Sequence, residues 1–463
     1  MLTLLADITL AAAIMLLFWI IGKGVKRLFP LLKRYYIPSA LLAGTLGLIL
    51  IAAPITWLNL IPESVVETWS GWPGLLINVV FACLFLGKRI LSARETWRLA
   101  GPQVVFGQTL AWGQYVVGLL LTLLVLVPVF NMSPLAGALI EISFEGGHGT
   151  AAGLAPVFEE LGFAEGADLA IGLATIGIVI GIITGVLLVN WGHRTNKTII
   201  KAPTKSSKEA DVTTDNEATH LDDTAHDEPS HWLDRLPWLN YLLHAGYIAV
   251  AIVLGQTLLN GLIRLEQATW AREGGLELMA SMPLFPLAML GGVIVQYTLT
   301  KLKQQQLIDR TIINRFGSLT LDVLIIAAIA TMSLQVLGDF LVPFLLIALV
   351  GISWNIFAFL IIAPRMIPKY WFERGIGDYG QSMGMTATGL LLMRITDPKN
   401  SSRALESFGY KQLFFEPIVG GGIFTASSII LIHQFGATAM LGVTTIVMIG
   451  WMIFGYFQFH VKN

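Results

Sequence analysis

The chain has 463 residues, of which 55% are hydrophobic and 13% are charged. Soluble domains carry about a quarter charged residues, so this composition excludes an ordinary soluble protein. The net charge of −1 gives no indication of a nucleic-acid partner, and the single cysteine, Cys83, excludes an internal disulfide.

Apolar segments long enough to cross a bilayer, which takes about 20 residues per helix, follow one another along the first part of the chain. The predicted spans are 2–21, 37–55, 73–87, 102–130 and 167–190. Basic residues follow the first apolar segment rather than precede it, which indicates an uncleaved helix and not a signal peptide. Lysine and arginine alternate between loops, so the positive-inside rule places the N-terminus outside and the basic loops in the cytoplasm.

The pattern of full spans breaks between residues 133 and 162. The apolar run 134–143 is too short to span and leads into FEGGHGTAAGLAP at 144–156, where glycines surround one glutamate and one histidine. A second short segment closes at Glu159 and Glu160. We interpret 133–162 as a re-entrant loop that enters and leaves the membrane on the same side.

A hydrophilic stretch, 191–236, divides the chain near its middle and carries many acidic residues, so we predict a cytoplasmic linker there. The second half repeats the arrangement of the first. Its predicted spans are 238–263, 284–299, 319–337, 340–363, 414–431 and 437–457. A second break, 375–395, contains GIGDYGQSMGMTATGLLL and is predicted to be a second re-entrant loop.

The two breaks match each other. GTAAGL at 149–154 aligns with MTATGL at 385–390, so Thr150 pairs with Thr386 and Gly153 with Gly389. Four spans precede each break, and the halves start on opposite sides of the membrane. The sequence therefore predicts an all-α, multi-span protein with two inverted five-helix repeats, 1–190 and 237–434, and an additional membrane helix in 435–463.

That arrangement predicts a function. Backbone that leaves helical geometry inside a membrane must be satisfied by protein or by a wet cavity, and inverted repeats with broken helices at the midplane are typical of secondary transporters. A helix that starts at Thr150 or Thr386 would direct its amides at a ligand. Glycines in membrane helices also serve close packing, which is our interpretation of Gly44, Gly47, Gly181 and Gly185.

GGHGTAAG at 146–153 resembles a signature of the bacterial sodium/glutamate symporter family, as do YYIPSALLAGTLGL at 35–48 and LLINVVFACLFLGKRI at 75–90. The segment INRFGSLTLDVLIIAAIATMSLQVL at 313–337 is also similar. The resemblance covers roughly 1–190 and 238–434. It implies sodium-coupled glutamate uptake, a homodimer in the bacterial inner membrane, and an elevator-type movement of a unit that carries both loops.

The chain departs from the family pattern at several positions. The second loop reads GQSMGMTAT where the family has a GxGxGxTPT-like run, and Asp378 stands just ahead of it. Glu145 occupies the place of a small polar residue, Arg394 follows the second loop at an expected uncharged position, and the segment 437–457 is additional to a ten-helix core.

Residues of both loops are candidates for the substrate site. They are Gly146, Gly147, His148, Gly149, Thr150, Gly384, Thr386, Thr388, Gly389 and Arg394. His148 could bind a substrate carboxylate or carry a proton, or it could be satisfied by neighbouring carbonyls. Arg394 could pair with a carboxylate in the cavity or lie at the cytoplasmic rim.

Candidate ligands of the coupling ion carry hard oxygen atoms, which sodium prefers. They are Glu145, Thr150, Asp378, Ser382 and Thr386. An ionisable residue at membrane depth is a functional candidate by default. The alternative is a shallow loop in which solvent wets Glu145 and Glu141, and Asp378 could equally mark the cytoplasmic mouth.

We therefore expect sodium-coupled uptake of glutamate or a related small carboxylate, with no cofactor beyond the sodium ion. A proton-coupled carrier of another amino or organic acid is the alternative, because Glu145 adds a negative charge. A membrane enzyme is less well supported, since no histidine pair at metal-ligand spacing lies near His148. No repeated selectivity filter indicates a channel. The C-terminus is expected in the cytoplasm.

Overall fold

The computed structural model describes residues 2–29, 32, 37–52, 61–88, 93–198, 237–271, 279, 282–384, 386–398 and 400–459. Within these ranges every regular element is a helix. Residues 199–236, the larger part of the predicted linker, lie outside the described residues. Helix α8 continues to Arg194, three residues past the predicted boundary at 191.

The described residues of the first half form eight helices of four or more residues. They are α1 (Leu2–Leu28), α2 (Ser39–Ala52), α3 (Glu63–Cys83), α4 (Ala93–Leu121, then Thr122–Leu126 and Val127–Phe130), α5 (Leu139–Phe144), α6 (Gly147–Gly153), α7 (Ala155–Glu160) and α8 (Glu165–Arg194). A 3-10 turn, Pro134–Ala138, leads into α5. We call 134–160 the first hairpin.

In the second half, the part of the chain that the structure describes contains ten helices. They are α9 (Pro237–Ala268), α10 (Phe285–Lys301), α11 (Arg310–Ala330), α12 (Leu334–Asp339), α13 (Leu341–Phe357, then Ala358–Ile362 and Ala363–Met366), α14 (Trp371–Gly384), α15 (Thr386–Thr396), α16 (Ala404–Phe415), α17 (Ile423–Phe435) and α18 (Ala437–Phe459). A short 3-10 turn, Gln305–Leu307, precedes α11. We call 371–396 the second hairpin.

Seven helices in the described part of the chain are long and apolar enough to cross a bilayer. They are Ala6–Leu28, Arg94–Phe130, Glu165–Arg194, Trp238–Ala268, Arg310–Ala330, Leu341–Met366 and Ala437–Phe459. Their length and composition confirm a multi-span membrane protein. The run Pro134–Phe144 is apolar but short, as the sequence predicted for an arm that does not span.

The predicted single span over 414–431 is wrong. Helix α16 ends at Phe415 and α17 begins at Ile423, so seven residues of non-helical chain interrupt the run. Gly420 and Gly421 have φ angles of +70° and +99° within this interruption. A left-handed backbone is accessible to glycine at little cost, which is why the chain can leave the helix there. We call 416–422 the interhelical turn.

Helices α4 and α13, which precede the two hairpins, share an irregularity. Each contains a five-residue π-helical stretch, Thr122–Leu126 in α4 and Ala358–Ile362 in α13. A proline follows in each case, Pro128 and Pro364. The two stretches are separated by the same number of positions, 236, that separates Thr150 from Thr386. Such π-bulges occur most often at functional sites.

The helices pack in two groups. Helices α1, α2, α3, α9, α10 and α11 contact one another, whereas α4, α8, α13 and α16 pack around the two hairpins. Glycines permit close approach in both groups, as the sequence predicted. A Cβ at Gly44 or Gly47 would meet α11 at 2.8 Å, and one at Gly181 or Gly185 would meet the second hairpin at 2.7 or 2.4 Å. Their role in packing is confirmed.

Candidate substrate and ion site between two hairpins

The tip of the first hairpin is built from glycine. Helix α5 ends at Phe144, Glu145 and Gly146 follow, and Gly147 has a φ of +69°. Helix α6 therefore begins at Gly147, three residues before the predicted start at Thr150. A Cβ at Gly146 would lie 2.5 Å from the Ile142 carbonyl oxygen, so the tight reversal has no room for a side chain.

In the second hairpin, α14 ends at Gly384 and α15 begins at Thr386, where the sequence predicted a helix to start. Its two arms are in backbone contact. A Cβ at Gly389 would lie 2.3 Å from the Gly377 carbonyl oxygen, and one at Gly384 would lie 2.8 Å from the Ile178 Cα in α8. The Thr388 hydroxyl donates to the Gly384 carbonyl at 3.1 Å. Gly384, Thr388 and Gly389 thus shape the hairpin.

The two hairpin tips meet in the interior of the protein. The Ser382 hydroxyl donates a hydrogen bond to Oε1 of Glu145, and both side chains are buried. The Ser382 carbonyl oxygen accepts from Gln114 Nε2 at 2.8 Å and from Asn355 Nδ2 at 2.7 Å. Amide side chains of α4 and α13 therefore hold the second tip against the first.

Glu141 fixes the interhelical turn to the first hairpin. Its Oε1 accepts from the Gly420 amide at 2.8 Å and the Thr425 hydroxyl at 2.7 Å, while Oε2 accepts from the Tyr115 hydroxyl at 2.5 Å. Both carboxylate oxygens are thus bonded. Glu141 and Glu145 are 0% and 3% exposed, so the reading in which solvent wets both acids is wrong. The interhelical turn is therefore a third non-helical segment, next to the tips of the two hairpins.

The interhelical turn also contacts the candidate threonines. A Cβ at Gly421 would lie 2.7 Å from the Thr150 hydroxyl oxygen. The Thr386 hydroxyl donates to Oε1 of Glu416 at 3.3 Å. Thr150 and Thr386, which the sequence paired by their spacing, thus both face this turn. The sequence analysis missed the turn, although the run EPIVGGG at 416–422 carries a proline and three glycines inside an apparent span.

A buried cation, also missed from the sequence, lies at the second hairpin. Lys411 of α16 donates from Nζ to Oδ1 of Asp378 at 2.8 Å and to Oε1 of Gln381 at 2.9 Å. The side chains of Lys411 and Asp378 are both 0% exposed. Asp378 is therefore paired with a lysine. In the sequence Lys411 stands just before an apolar run, and a lysine at such a position usually marks a loop.

Polar atoms of the first hairpin remain without a protein partner. They are Oε2 of Glu145, Nδ1 of His148 and the hydroxyl oxygen of Thr150. The other ring nitrogen of His148, Nε2, lies 2.9 Å from the Thr175 hydroxyl of α8. Oδ2 of Asp378 in the second hairpin also makes no hydrogen bond. Buried polar atoms are nearly always hydrogen-bonded, so the three atoms within six residues make the first hairpin a candidate site for a polar ligand or an ion.

The remaining predicted site residues lie around this centre. Gly149 faces α3, where a Cβ would meet the end of the Ile77 side chain at 2.7 Å. Arg394 is partly buried near the end of α15. No group of three histidine, cysteine or acidic side chains within metal-binding reach occurs among the described residues. The acceptors near the tips are hydroxyl, carboxylate and backbone oxygens, the hard ligands that suit a sodium ion.

Comparison with known proteins decides the family. A family model described as "Sodium/glutamate symporter" matches residues 2–397, which include both hairpins. The chain belongs to the sodium/glutamate symporter family. The description of this family names a symporter, which is a carrier and not an enzyme.

Individual members of the sodium/glutamate symporter family share limited sequence identity with this chain. The chain is 28% identical over 182 residues to the sodium/glutamate symporter of Escherichia coli (strain K12), and the same figures apply to that of Shigella flexneri. The aligned part is 38% of this chain and 42% of each relative. The chain thus spans less than half the length of the curated relatives it matches.

Proposed function

We propose that this chain is a secondary active transporter that couples uptake of glutamate, or of a related small carboxylate, to sodium entry. The observation that carries the proposal is the hydrogen bond between Ser382 and Glu145, which joins the tips of two glycine-rich hairpins inside the protein. Non-helical backbone at membrane depth is tolerated only where protein or a wet cavity satisfies it. Transporters bind substrate at such junctions.

We assign the binding of the substrate carboxylate to hydrogen-bond donors on both hairpins. His148 and Thr150 contribute partnerless polar atoms in the first hairpin, and the N-terminal amides of α15 follow the second tip at Thr386. Amides at a helix N-terminus favour an anion. The glycines of the tips, Gly146 and Gly147, leave the backbone accessible to a ligand.

The coupling ion is assigned to the first hairpin and its immediate partners. Oε2 of Glu145 is buried and makes no hydrogen bond, so its negative charge is available to balance a cation. Hydroxyl groups of Thr150 and Ser382 supply further hard oxygen ligands. A sodium ion bound here would neutralise Glu145 and so remove its repulsion toward a substrate carboxylate.

We propose an elevator-type movement because the helices pack in two groups that meet at the first hairpin. Helix α6 contacts α3 and α11, which belong to the other group. The group with α3 and α11 would form the scaffold of a homodimer, and the group with both hairpins would move. The shared spacing of the π-helical stretches in α4 and α13 supports two inverted repeats, 1–190 and 237–434, in the bacterial inner membrane.

A proton-coupled carrier of another amino or organic acid is the second candidate. It is favoured by one observation: a buried carboxyl group, Glu145, whose Oε2 has no partner. A carboxyl group that binds a proton becomes neutral, and neutralisation would permit substrate binding just as a sodium ion would. The two candidates differ in the ion that drives uptake and share the same site.

Uptake by the purified protein in liposomes distinguishes these candidates. Labelled glutamate and a panel of amino and organic acids would be offered with an inward sodium gradient, with an inward proton gradient, and with neither. Sodium-coupled transport predicts saturable uptake that requires the sodium gradient, whereas the second candidate requires only the proton gradient. Uptake of no acid under any gradient contradicts both, and uptake that does not saturate indicates a channel.

A further inference from the structure

Lys411 occupies a position where two buried oxygen atoms would otherwise be available to bind a cation. Its ammonium group contacts a carboxylate oxygen of Asp378 and an amide oxygen of Gln381, both on the first arm of the second hairpin. Gln412 donates to the same Gln381 oxygen at 3.0 Å and fixes its orientation. Carboxylate and amide oxygens are ligands of hard cations, and here the cation is a side chain.

The space for this ammonium is built by three helices. Gly107 of α4 faces Lys411 directly, and a Cβ at this position would lie 2.6 Å from Cε and 2.7 Å from Nζ. The rings of Phe415 and Phe408 lie 4.0 and 5.3 Å from Nζ, within the range of cation–π attraction. A glycine notch, two aromatic faces and two oxygen ligands therefore enclose one positive charge.

The corresponding position in the first half carries no charge. Lys411 is 236 positions from Thr175, the spacing that also relates Thr386 to Thr150 and the two π-helical stretches. Thr175 contacts the first hairpin at His148, just as Lys411 contacts the second hairpin at Asp378. The helix after each hairpin thus touches it from an equivalent residue, with a neutral hydroxyl that reaches the second arm in one half and an ammonium that reaches the first arm in the other.

We propose that Lys411 is a tethered cation that permanently fills a cation site of the second hairpin. Resting on the proposed function, this assigns all exchangeable coupling ions to the first hairpin around Glu145. The charge of Asp378 in the second hairpin therefore stays balanced throughout transport without an ion from solution.

Charge balance makes the proposal testable. Without the ammonium, Asp378 is a buried carboxylate with no cation in direct contact, which is strongly unfavourable. Arg374 lies one helical turn earlier on the same arm of the hairpin. A small cation that can reach the emptied notch should therefore bind to Asp378 and Gln381. Sodium is small enough and choline is not.

The experiment compares the thermal unfolding of purified wild type and Lys411→Ala in sodium chloride and in choline chloride at equal ionic strength. We expect the variant to have a lower Tm in choline chloride and a sodium-specific rise in Tm at least about twice that of wild type, because an additional bound ion stabilises the folded state. The double variant Lys411→Ala with Asp378→Asn should lose this additional rise. Lys369→Ala, which removes an exposed lysine, is the matched control.

A sodium response of Lys411→Ala no larger than that of wild type overturns the proposal, as does an equal gain in choline chloride. If the alanine variant cannot be purified in either salt, Lys411→Gln provides the same comparison, because its side chain is neutral and shorter and leaves the position of Nζ open to a cation. Unfolding requires no substrate, so this result is independent of transport. Failure to transport any acid alongside a sodium gain in the variant would reject the proposed function alone.

Discussion

The hydroxyl group of Ser382 donates a hydrogen bond to Glu145, so the tips of the two hairpins touch although 237 positions separate the two residues. The proximity can be tested in the membrane. In a Cys83→Ala background, Glu145→Cys combined with Ser382→Cys should be joined by a bifunctional thiosulfonate reagent with a short spacer. Mass spectrometry of the digested protein would detect the linked peptides. Each single cysteine variant is the control, and absence of the link places the tips apart.

Neutralising Glu145 should change ion dependence. Glu145→Gln keeps the shape of the side chain but removes the charge that would balance a cation, and a bond to a charged group contributes roughly 1.5–3 kcal/mol. We expect the half-saturating sodium concentration for uptake to rise about tenfold or more. Glu159→Gln, at an exposed position of the first hairpin, should leave it unchanged. An unaltered sodium and pH profile of Glu145→Gln contradicts a role in coupling.

Two glycines, one from each hairpin, should differ in their tolerance of alanine. A Cβ at Gly389 meets the rigid Gly377 carbonyl at 2.3 Å, whereas one at Gly149 meets the end of the flexible Ile77 side chain at 2.7 Å. Gly389→Ala should therefore abolish uptake, because the arms of the second hairpin cannot close. Gly149→Ala should retain a measurable rate. Uptake normalised to the amount of inserted protein decides this, and equal effects would contradict the hairpin packing.

Filling the notch in α4 should destabilise the protein. Gly107→Ala places a methyl group 2.6 Å from Cε of Lys411, and overpacking of this kind costs about 1–3 kcal/mol. The Tm of the purified protein should fall. Gly246→Ala in α9 is the matched control, because no atom lies within 4 Å of its added Cβ. An unchanged Tm for Gly107→Ala would mean that Lys411 does not occupy the notch.

Glu141 should control the rigidity of the interhelical turn. Replacing it with glutamine weakens the bonds to the Gly420 amide and the Thr425 hydroxyl. Bonds to charged groups contribute more than bonds to neutral ones, by about a factor of two. Hydrogen exchange of the peptide that contains 416–425 should therefore accelerate in Glu141→Gln and remain unchanged in Glu63→Gln. Unchanged exchange in both variants would remove Glu141 from the support of the turn.

Local patterns in the sequence predicted a large part of the fold. Apolar runs with basic loops predicted a multi-span helical protein, and the glycine clusters predicted where helices break. Helix α15 begins at Thr386 as expected, and α6 begins only three residues before Thr150. These features depend on burial and on backbone freedom, which neighbouring residues determine directly.

The sequence analysis missed the features that depend on remote partners. The span predicted over 414–431 is interrupted because Glu141, 279 positions away from Gly420, supplies an acceptor for its amide. Lys411 reads as a loop lysine, and only the approach of Asp378 and the notch at Gly107 make it a buried cation. These roles were beyond any local pattern.

By itself, the amino-acid sequence determined a helical membrane protein with two glycine-rich breaks at matching positions, because hydrophobicity and glycine content act on the chain locally. The tertiary structure alone decided how charge is balanced inside it: Glu141 is bonded to a turn, Asp378 is paired with Lys411, and Glu145 keeps one free oxygen. The physical reason is that burying a charge is favourable only when an opposite charge or a donor lies close in space, and closeness in space is a property of the folded chain.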